Sequence, residues 1–240
     1  MNPRILEPFS QTNREKNRIY SHPSATMKTN PIDYSLYLVT DRGLSRGRTT
    51  LEIVTAAVSG GVTCVQLREK TASTREFIHE ALKLKEYLRS ASIPLIINDR
   101  LDVALAVGAD GVHLGRKDMP LAMARAIVDD RMIIGISVES LADAVAAEKG
   151  GADYLGVSPI YATPTKTDTA PALGVAGLRI IRQAVRLPLV GIGGLHSGNA
   201  AEIIYNGADG VAVVSAIVAA EDPLQAARSL KGVIAEAREQ

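Results

Sequence analysis

Three polar side chains alternate along one short segment of the chain. The segment reads Gln66-Leu67-Arg68-Glu69-Lys70, and in a β-strand every second residue points to the same side. Gln66, Arg68 and Lys70 therefore share one face. Two cations turned toward the inside of a protein are costly unless an anion accompanies them. The spacing predicts a clamp for a phosphate or diphosphate group, with a solvated ion pair to Glu69 as the alternative.

Two carboxylates follow the next two candidate strands. Asp99 comes directly after Asn98 at the end of one strand, and Asp118 follows the strand that contains His113. Mg²⁺ is commonly held by one or two carboxylates, with water and substrate phosphate completing its shell. Either aspartate alone is also compatible with an N-cap of the helix that follows it. Their occurrence on neighbouring loops favours a magnesium site.

Hydroxyl groups and a further lysine follow the fifth and sixth candidate strands. Ser137 ends the fifth strand, and the loop after the sixth carries Thr163, Thr165 and Lys166. This loop is too long for a tight connection, which suits the binding of a substrate anion or a leaving group. A solvated loop without such a role is the alternative.

Glycines and a serine follow the last two candidate strands. Gly193 and Gly194 end the seventh, and Val214 and Ser215 end the eighth. Where parallel strands form a barrel, this is a common place for a phosphate, because glycine lets backbone N–H groups approach the anion. Glycines also permit tight packing, but the occurrence of both loops in the expected places favours a phosphate site.

The histidines and the single cysteine indicate no site of their own. His113 is predicted to be structural or supporting, because no carboxylate partner for it is evident in the sequence. Cys64 lies in an apolar stretch and is predicted to be in the core. His22, His79 and His196 lack the spacing of metal ligands, and no Ser-His-Asp or Cys-His arrangement is evident.

Short apolar runs alternate with longer helical patterns from Ser35 onward, which is typical of a parallel sheet wrapped by helices. The predicted strands are Ser35–Asp41, Cys64–Glu69, Pro94–Asp99, Gly111–Gly115, Met132–Val138, Tyr154–Tyr161, Pro188–Gly194 and Gly210–Ala216. The predicted helices are Leu51–Ser59, Thr74–Ser92, Leu101–Val107, Pro120–Asp129, Leu141–Lys149, Val175–Val185, Asn199–Asn206 and Pro223–Arg238.

A Gly-Ala-Asp tripeptide recurs at the junctions between helix and strand. It begins at Gly108, Gly151 and Gly207, where the glycine can close the helix with a positive φ. Eight such units in so little sequence predict a single-domain (β/α)8 TIM barrel over residues 31–240. In that fold the active site lies at the carboxyl ends of the strands, where the polar residues named above are expected.

Composition narrows the class of protein further. The 240 residues carry a formal net charge of +1, which gives no general attraction to nucleic acid or anionic lipid. With no run of 18 apolar residues, no transmembrane segment and no secretory signal are predicted, and the single cysteine fits a cytoplasmic location. Residues 1–30 are predicted to be a disordered tail or the product of an upstream start codon, since Met27 stands just before the periodic part.

From about Leu36 to about Ala220 the chain resembles the thiamine phosphate synthase family. The resemblance rests on Leu38-Val39-Thr40-Asp41, Gln66 to Lys70, Asn98-Asp99-Arg100, His113-Leu114-Gly115 with Asp118, Ser137, Thr163-Pro164-Thr165-Lys166, Gly193-Gly194 and Val214-Ser215. It implies a transferase that joins a pyrimidine diphosphate to a thiazole phosphate. The diphosphate leaves first, and the thiazole nitrogen captures the resulting pyrimidine methyl cation.

The resemblance also implies a role for each matching residue. The residues expected to hold the aminopyrimidine diphosphate are Gln66, Arg68, Lys70, Asn98, Ser137 and Lys166, of which Arg68, Lys70, Ser137 and Lys166 are predicted to be catalytic. Asp99 and Asp118 are expected to bind Mg²⁺ as the cofactor. The residues expected to receive the thiazole phosphate are Thr163, Thr165, Gly194, Val214 and Ser215.

Two other functions remain as alternatives. The sister family of thiazole tautomerases resembles the synthases across the same barrel but uses no diphosphate, and it would make His113 a catalytic candidate. A regulator that binds thiazole phosphate or thiamine phosphate without catalysis is the other. The cation clamp, the pair of aspartates and Lys166 favour the synthase. The sequence leaves open whether copies of the chain form a homo-oligomer.

Overall fold

Eight parallel strands close into a barrel in chain order. Each strand pairs with the next one, and β8 pairs with β1 through Leu36 and Val211. The strands are β1 Leu36–Val39, β2 Cys64–Leu67, β3 Leu95–Asn98, β4 Gly111–Leu114, β5 Ile133–Val138, β6 Tyr154–Val157, β7 Leu189–Ile192 and β8 Gly210–Val213. The predicted (β/α)8 barrel is confirmed.

The structure, a computed structural model, describes residues 32–162 and 171–239. The predicted tail of residues 1–30 lies outside the described residues, and so do Thr163, Thr165 and Lys166. Among the residues that are described, no helix is long and apolar enough to cross a membrane.

Helices follow the strands as the hydrophobic periods predict. They are α1 Thr50–Ser59, α2 Thr74–Ser90, α3 Leu101–Val107, α4 Leu121–Val128, α5 Leu141–Lys149, α6 Gly174–Ala184, α7 Ala200–Tyr205, α8 Ser215–Val218 and α9 Pro223–Arg238, with short 3-10 helices at Arg42–Leu44 and Asp129–Arg131. Capping boxes begin α1 and α2: the side chains of Thr49 and Ser73 accept hydrogen bonds from the N–H groups of Glu52 and Glu76.

Two strands end three or four residues before their predicted ends, whereas the other predicted strand bounds agree within two residues. The sixth strand ends at Val157 instead of Tyr161, because Pro159 has no N–H group to continue the ladder. The eighth ends at Val213 instead of Ala216. Val214 leaves the strand conformation, with ψ at −85°, and the short helix α8 begins at Ser215.

The alternation of side chains along the strands produces two separate apolar layers. Outward residues such as Leu67 pack against the helices in the large core. Inward residues fill the barrel itself and include Tyr34, Tyr37, Val39, Cys64, Ile96, Tyr154, Val190 and Ala212. Cys64 is fully buried there, as predicted. The barrel is therefore a packed core below its carboxyl end and an open cavity above it.

The Gly-Ala-Asp tripeptides join helix to strand by the predicted turn. Gly108 ends α3 in the left-handed conformation, with φ at 63° and ψ at 48°, and Gly151 and Gly207 also have positive φ. The aspartate has a role that the sequence did not predict: the Asp110 carboxylate accepts the N–H group of Leu95 at 2.8 Å. Asp153 and Asp209 do the same for Ile134 and Leu189. These three aspartates therefore stabilise the amino ends of preceding strands.

Candidate active site

A cavity of about 780 Å³ opens at the carboxyl ends of the strands. Every predicted site residue that the structure describes lines it: Gln66, Arg68, Lys70, Asn98, Asp99, Asp118, Ser137, Gly193, Gly194, Val214 and Ser215. The parallel strands all end at this rim, which brings together residues that are far apart in the sequence.

The two cations after β2 pair with acids other than Glu69. Arg68 donates from its guanidinium to Asp41 at 2.6 Å, and Lys70 bonds to Asp99. Glu69 instead lies 3.4 Å from Arg42, outside the cavity lining. The alternative of a pair between the clamp and Glu69 is therefore wrong. The guanidinium has five N–H groups and the bond to Asp41 uses one of them, so the pairing still permits contact with an anion.

Asp99 and Asp118 both line the cavity, and their carboxyl groups lie close enough for each to shift the pKa of the other. Asp99 has a φ of 64°, a conformation that costs most residues roughly 1–2 kcal/mol but that aspartate tolerates better. Its N–H group donates to the carbonyl oxygen of His113 at 2.8 Å. Asp118 accepts the N–H group of Gly115 at 2.7 Å. The backbone of Asp99 is thus fixed by β4, and the carboxylate of Asp118 is held by a backbone N–H group of its own loop.

The alternative of two helix caps is wrong. The N-cap residues of α3 and α4 are Arg100 and Pro120, and neither helix has a capping hydrogen bond from a side chain. Asp99 and Asp118 project into the cavity instead of closing the helices.

The two carboxyl groups have pKa values displaced in opposite directions. Burial opposes the charge of Asp99, but hydrogen bonds from Lys70 and Asp118 outweigh burial and lower its pKa. Burial and the adjacent Asp99 raise the pKa of Asp118, against the lowering effect of the Gly115 N–H group. Two like charges in contact favour a shared proton, or a cation in its place.

The donor set of this pair fits a hard cation. Within the described part of the chain, no group of three or more histidine, cysteine, aspartate or glutamate side chains is placed to hold a metal ion. Two carboxylates without soft ligands suit Mg²⁺, which takes one or two carboxylates and leaves its other positions to water and phosphate. A zinc site with four protein ligands would need a larger set.

A chain of hydrogen bonds crosses the bottom of the cavity. It runs from Gln66 to Tyr37 at 3.0 Å, from Tyr37 to Tyr154 at 2.9 Å, from Tyr154 to His113 Nδ1 at 2.9 Å, and from His113 Nε2 to Ser137 at 2.8 Å. His113 thus has hydroxyl partners on both ring nitrogens. The sequence did not predict Tyr37 and Tyr154, although strand alternation places Tyr37 on the inward face of β1.

The glycines after β7 are required by close packing. Gly193 and Gly194 have φ values of 105° and 66°. A Cβ atom on Gly193 would lie 2.9 Å from Pro159, and one on Gly194 would lie 2.9 Å from Tyr161. Tight packing, the alternative to a phosphate site, is therefore part of their role. The same two glycines line the cavity beside Ser215, so a binding role is compatible with it.

Comparison with known proteins places the chain in a family. A family model described as thiamine monophosphate synthase matches residues 36–217. The chain belongs to this family. A thiamine-phosphate synthase of Chloroflexus aurantiacus is 53% identical over 208 residues, which are 87% of this chain and 96% of the relative. One of Albidiferax ferrireducens is 57% identical over 199 residues, 83% of this chain and 91% of the relative.

A solved structure agrees with the family and the fold. The thiamine phosphate pyrophosphorylase from Pyrococcus furiosus has a TM-score of 0.80 and 42% identity, covering 85% of this chain and 97% of that chain. The resemblance predicted from the motifs is thereby confirmed, and with it membership in a family of enzymes.

The rim of the cavity also contains a charged pair that the sequence did not predict. Arg116 and Glu139 lie 2.6 Å apart, on the loops after β4 and β5. Glu139 has a side chain exposed by only 10%, whereas the guanidinium group of Arg116 reaches solvent. An adjacent Arg-Lys-Asp run at 116–118 could have indicated a charged rim but not the acidic partner from the next loop.

Proposed function

We propose that this chain joins 4-amino-2-methyl-5-hydroxymethylpyrimidine diphosphate to thiazole phosphate, giving thiamine phosphate and diphosphate. The observation that carries the proposal is a single cavity in which a cation clamp, a pair of aspartates and a glycine-rich rim converge. Relatives at 53% and 57% identity that are named thiamine-phosphate synthase support the same reaction.

The clamp side of the cavity would hold the pyrimidine diphosphate. Arg68 and Lys70 supply positive charge at the rim, and Lys166 would add a third cation from the loop after β6. Asn98 supports this assignment, because its side-chain nitrogen is buried without a hydrogen-bond partner among the described residues. A buried donor without a partner is costly, and a ligand oxygen or nitrogen would satisfy it.

Asp99 and Asp118 would hold Mg²⁺. When bound, the ion would neutralise charge on the departing diphosphate. The raised pKa of Asp118 supports this role, because a nearby cation would relieve the repulsion between the two carboxylates. Lys70 bonds to Asp99, so its ammonium group would act on the same diphosphate as a cation held by that carboxylate.

The opposite rim would hold the thiazole phosphate. Gly193 and Gly194 lie beside Val214 and Ser215 in the cavity lining. Glycines let backbone N–H groups approach an anion closely, and the Ser215 hydroxyl adds a donor. Thr163 and Thr165 would complete this side of the site.

The proposed reaction breaks one bond and forms one. The carbon–oxygen bond of the pyrimidine methyl diphosphate breaks and its electron pair leaves with the diphosphate. The lone pair of the thiazole nitrogen then forms the new carbon–nitrogen bond. No proton has to be removed to generate the nucleophile. The residues of the site therefore stabilise departing charge, align the two substrates and exclude water.

Incubating the purified chain with both substrates and Mg²⁺ tests this proposal. Formation of thiamine phosphate with an equal amount of diphosphate is expected. Isomerisation of a thiazole carboxylate phosphate without diphosphate release would indicate a tautomerase instead. Tight binding of either phosphate with no turnover would indicate a regulator. Either of these outcomes would overturn the proposal.

A further inference from the structure

We propose that Tyr37 and Tyr154 are positioning residues: they give the buried hydrogen-bond chain one direction, so that Ser137 presents its hydroxyl proton to the cavity. The direction of the hydrogen-bond chain follows from its donors and acceptors, whereas the pyrimidine as the recipient of the Ser137 proton rests on the proposed function.

The direction begins at Gln66. Its side-chain N–H group donates to the Tyr37 hydroxyl at 3.0 Å, so the Tyr37 oxygen is an acceptor on that side. The proton of Tyr37 is then available for the Tyr154 oxygen at 2.9 Å. Cys64 also lies against Tyr37, but sulfur is a weak acceptor and does not compete well with a phenol oxygen.

The direction then passes through the histidine ring. Tyr154 accepts from Tyr37 and therefore donates its own proton to His113 Nδ1, at 2.9 Å. A neutral imidazole that accepts at Nδ1 carries its proton on Nε2. That Nε2–H group donates to the Ser137 oxygen at 2.8 Å. The Ser137 proton then points away from His113, and Ser137 lines the cavity.

The two phenols are suited to this role because they stay neutral. Both are fully buried, and burial raises the pKa of Tyr37 and of Tyr154 well above the ordinary range. A neutral hydroxyl always has one proton to donate and lone pairs to accept, so it transmits the direction of its neighbour. A chain of such bonds in a region of low dielectric is also mutually strengthening.

The backbone of the barrel makes space for this chain. Gly135 on β5 is the register partner of both His113 on β4 and Tyr154 on β6. A Cβ atom on Gly135 would lie 2.1 Å from the Tyr154 ring, and one on Gly156 would lie 3.0 Å from the His113 ring. Neither glycine is among those with a positive φ. Glycine inside a strand weakens the strand, and it often marks a place where another group approaches the backbone closely. Here the approaching groups are the rings of Tyr154 and His113.

The consequence is a specificity rule for the bound ligand. If Ser137 donates, the group facing it must be an acceptor, such as a ring nitrogen of an aminopyrimidine. If the chain ran the other way, Ser137 would donate to His113 and would offer lone pairs to an amino group instead. The tautomer of His113 distinguishes the two directions without any substrate.

Nuclear magnetic resonance of protein labelled with ¹⁵N-histidine is the direct test. The His113 signals are assigned by their loss in His113→Gln. The neutral tautomer protonated at Nε2 is expected in the wild type. Tyr154→Phe keeps the ring but removes the donor to Nδ1, so this tautomer should no longer be favoured. Tyr34→Phe is the matched control, because the ring centroids of Tyr34 and Tyr154 lie 4.6 Å apart but Tyr34 is not part of the hydrogen-bond chain.

Binding of the pyrimidine diphosphate, measured by calorimetry, gives the second readout. Tyr154→Phe should weaken it roughly tenfold, the size of a lost hydrogen bond. Ser137→Ala should weaken it too, and the double variant should be little worse than Ser137→Ala alone, because both changes act through the same proton. Tyr34→Phe should bind as the wild type does.

Each failure has a separate meaning. A wild-type His113 that is protonated at Nδ1, or that keeps its tautomer in Tyr154→Phe, overturns the proposed direction. Additive losses in the double variant overturn the link from Tyr154 to Ser137. If the expected tautomer is present but the pyrimidine diphosphate does not bind, the proposed function is wrong while the direction of the chain stands.

Discussion

Replacing Gly135 by alanine tests whether the missing side chain at this position provides the space that the Tyr154 ring occupies. The added methyl group would lie 2.1 Å from ring atom Cζ, 2.3 Å from Cε1 and 2.4 Å from the hydroxyl oxygen. The ring would have to move by about 1.3 Å to reach the 3.4 Å at which ordinary van der Waals contact begins. A shift of this size breaks the 2.9 Å hydrogen bonds from Tyr154 to Tyr37 and His113.

The expected loss of stability follows from those contacts. Overpacking a close-packed interior costs about 1–3 kcal/mol, and two lost hydrogen bonds add about 1 kcal/mol each. Alanine recovers about 0.5–1 kcal/mol of strand stability relative to glycine. The net cost for Gly135→Ala is therefore about 3 kcal/mol, which lowers the melting temperature of a domain of this size by roughly 6–12 °C.

Thermal unfolding followed by circular dichroism measures this effect, with two glycines as references. Gly156→Ala should cost less, because its methyl group would be 3.0 Å from the edge of the His113 ring. Gly232→Ala in α9 should stabilise the protein by up to about 1 kcal/mol, since nothing lies within 4 Å and alanine is the better helix former.

A second substitution identifies the Tyr154 ring as the cause. In a Tyr154→Leu background the ring is gone, so adding Gly135→Ala should cost much less than it does in the wild type. The contact between Gly135 and the Tyr154 ring is refuted if Gly135→Ala has the melting temperature of the wild type. It is also refuted if the substitution lowers the stability equally with and without the Tyr154 ring.

Four further predictions concern the site and the tail. Asp99→Ala and Asp118→Ala should each lower turnover by about 100-fold or more and weaken Mg²⁺ binding, and chelation of the metal should stop the reaction; full activity after EDTA treatment would contradict this. Because the pKa of Asp118 is raised, this side chain becomes protonated at a higher pH than an ordinary aspartate, and Asp99 becomes protonated only at a lower pH. Mg²⁺ affinity should therefore fall as the pH drops toward the raised pKa of Asp118. An affinity that stays constant on acidification to the ordinary range of aspartate would contradict this prediction. Lys166→Ala should lower kcat by about 100-fold, because its charge would stabilise the departing diphosphate. Ser215→Ala should mainly raise KM for the thiazole phosphate, whose charge does not change during the reaction. The opposite pattern would overturn the division of the cavity into a diphosphate half and a thiazole phosphate half. Deleting residues 1–26 should leave the melting temperature and turnover unchanged, because the barrel closes between β1 and β8 without them; a large drop in either would contradict it.

Much of the fold was predictable because each βα unit is encoded locally. The period of the apolar residues and the glycine of each Gly-Ala-Asp tripeptide mark where a helix ends and a strand begins. The bounds of α3, α5 and α9 are those predicted. The predicted ends of the sixth and eighth strands were wrong because residues after a strand can remain apolar while the backbone has already left the sheet, as Val214 shows.

The location of the candidate site was also predictable, since it follows from the strand ends. The partners of its charges were not. Arg68 pairs with Asp41, 27 positions away, and Glu69 with Arg42. These pairings depend on which side of β2 faces the loop after β1 and on how that loop turns. Neither property has a signal in the sequence of the segment itself.

The sequence by itself determined eight βα units, the order of the strands and the set of polar residues at their carboxyl ends, because hydrophobic period and turn residues act over short stretches. Only the tertiary structure decided which of these groups meet. Tyr37 and Tyr154 are 117 positions apart, and His113 and Tyr154 are 41 apart. Their hydroxyl and ring atoms are joined because the strand register places His113 and Tyr154 on either side of Gly135, which leaves room for the Tyr154 ring. The pKa values of Asp99 and Asp118 likewise depend on burial and on each other, and both causes arise only when the strands close around a common axis.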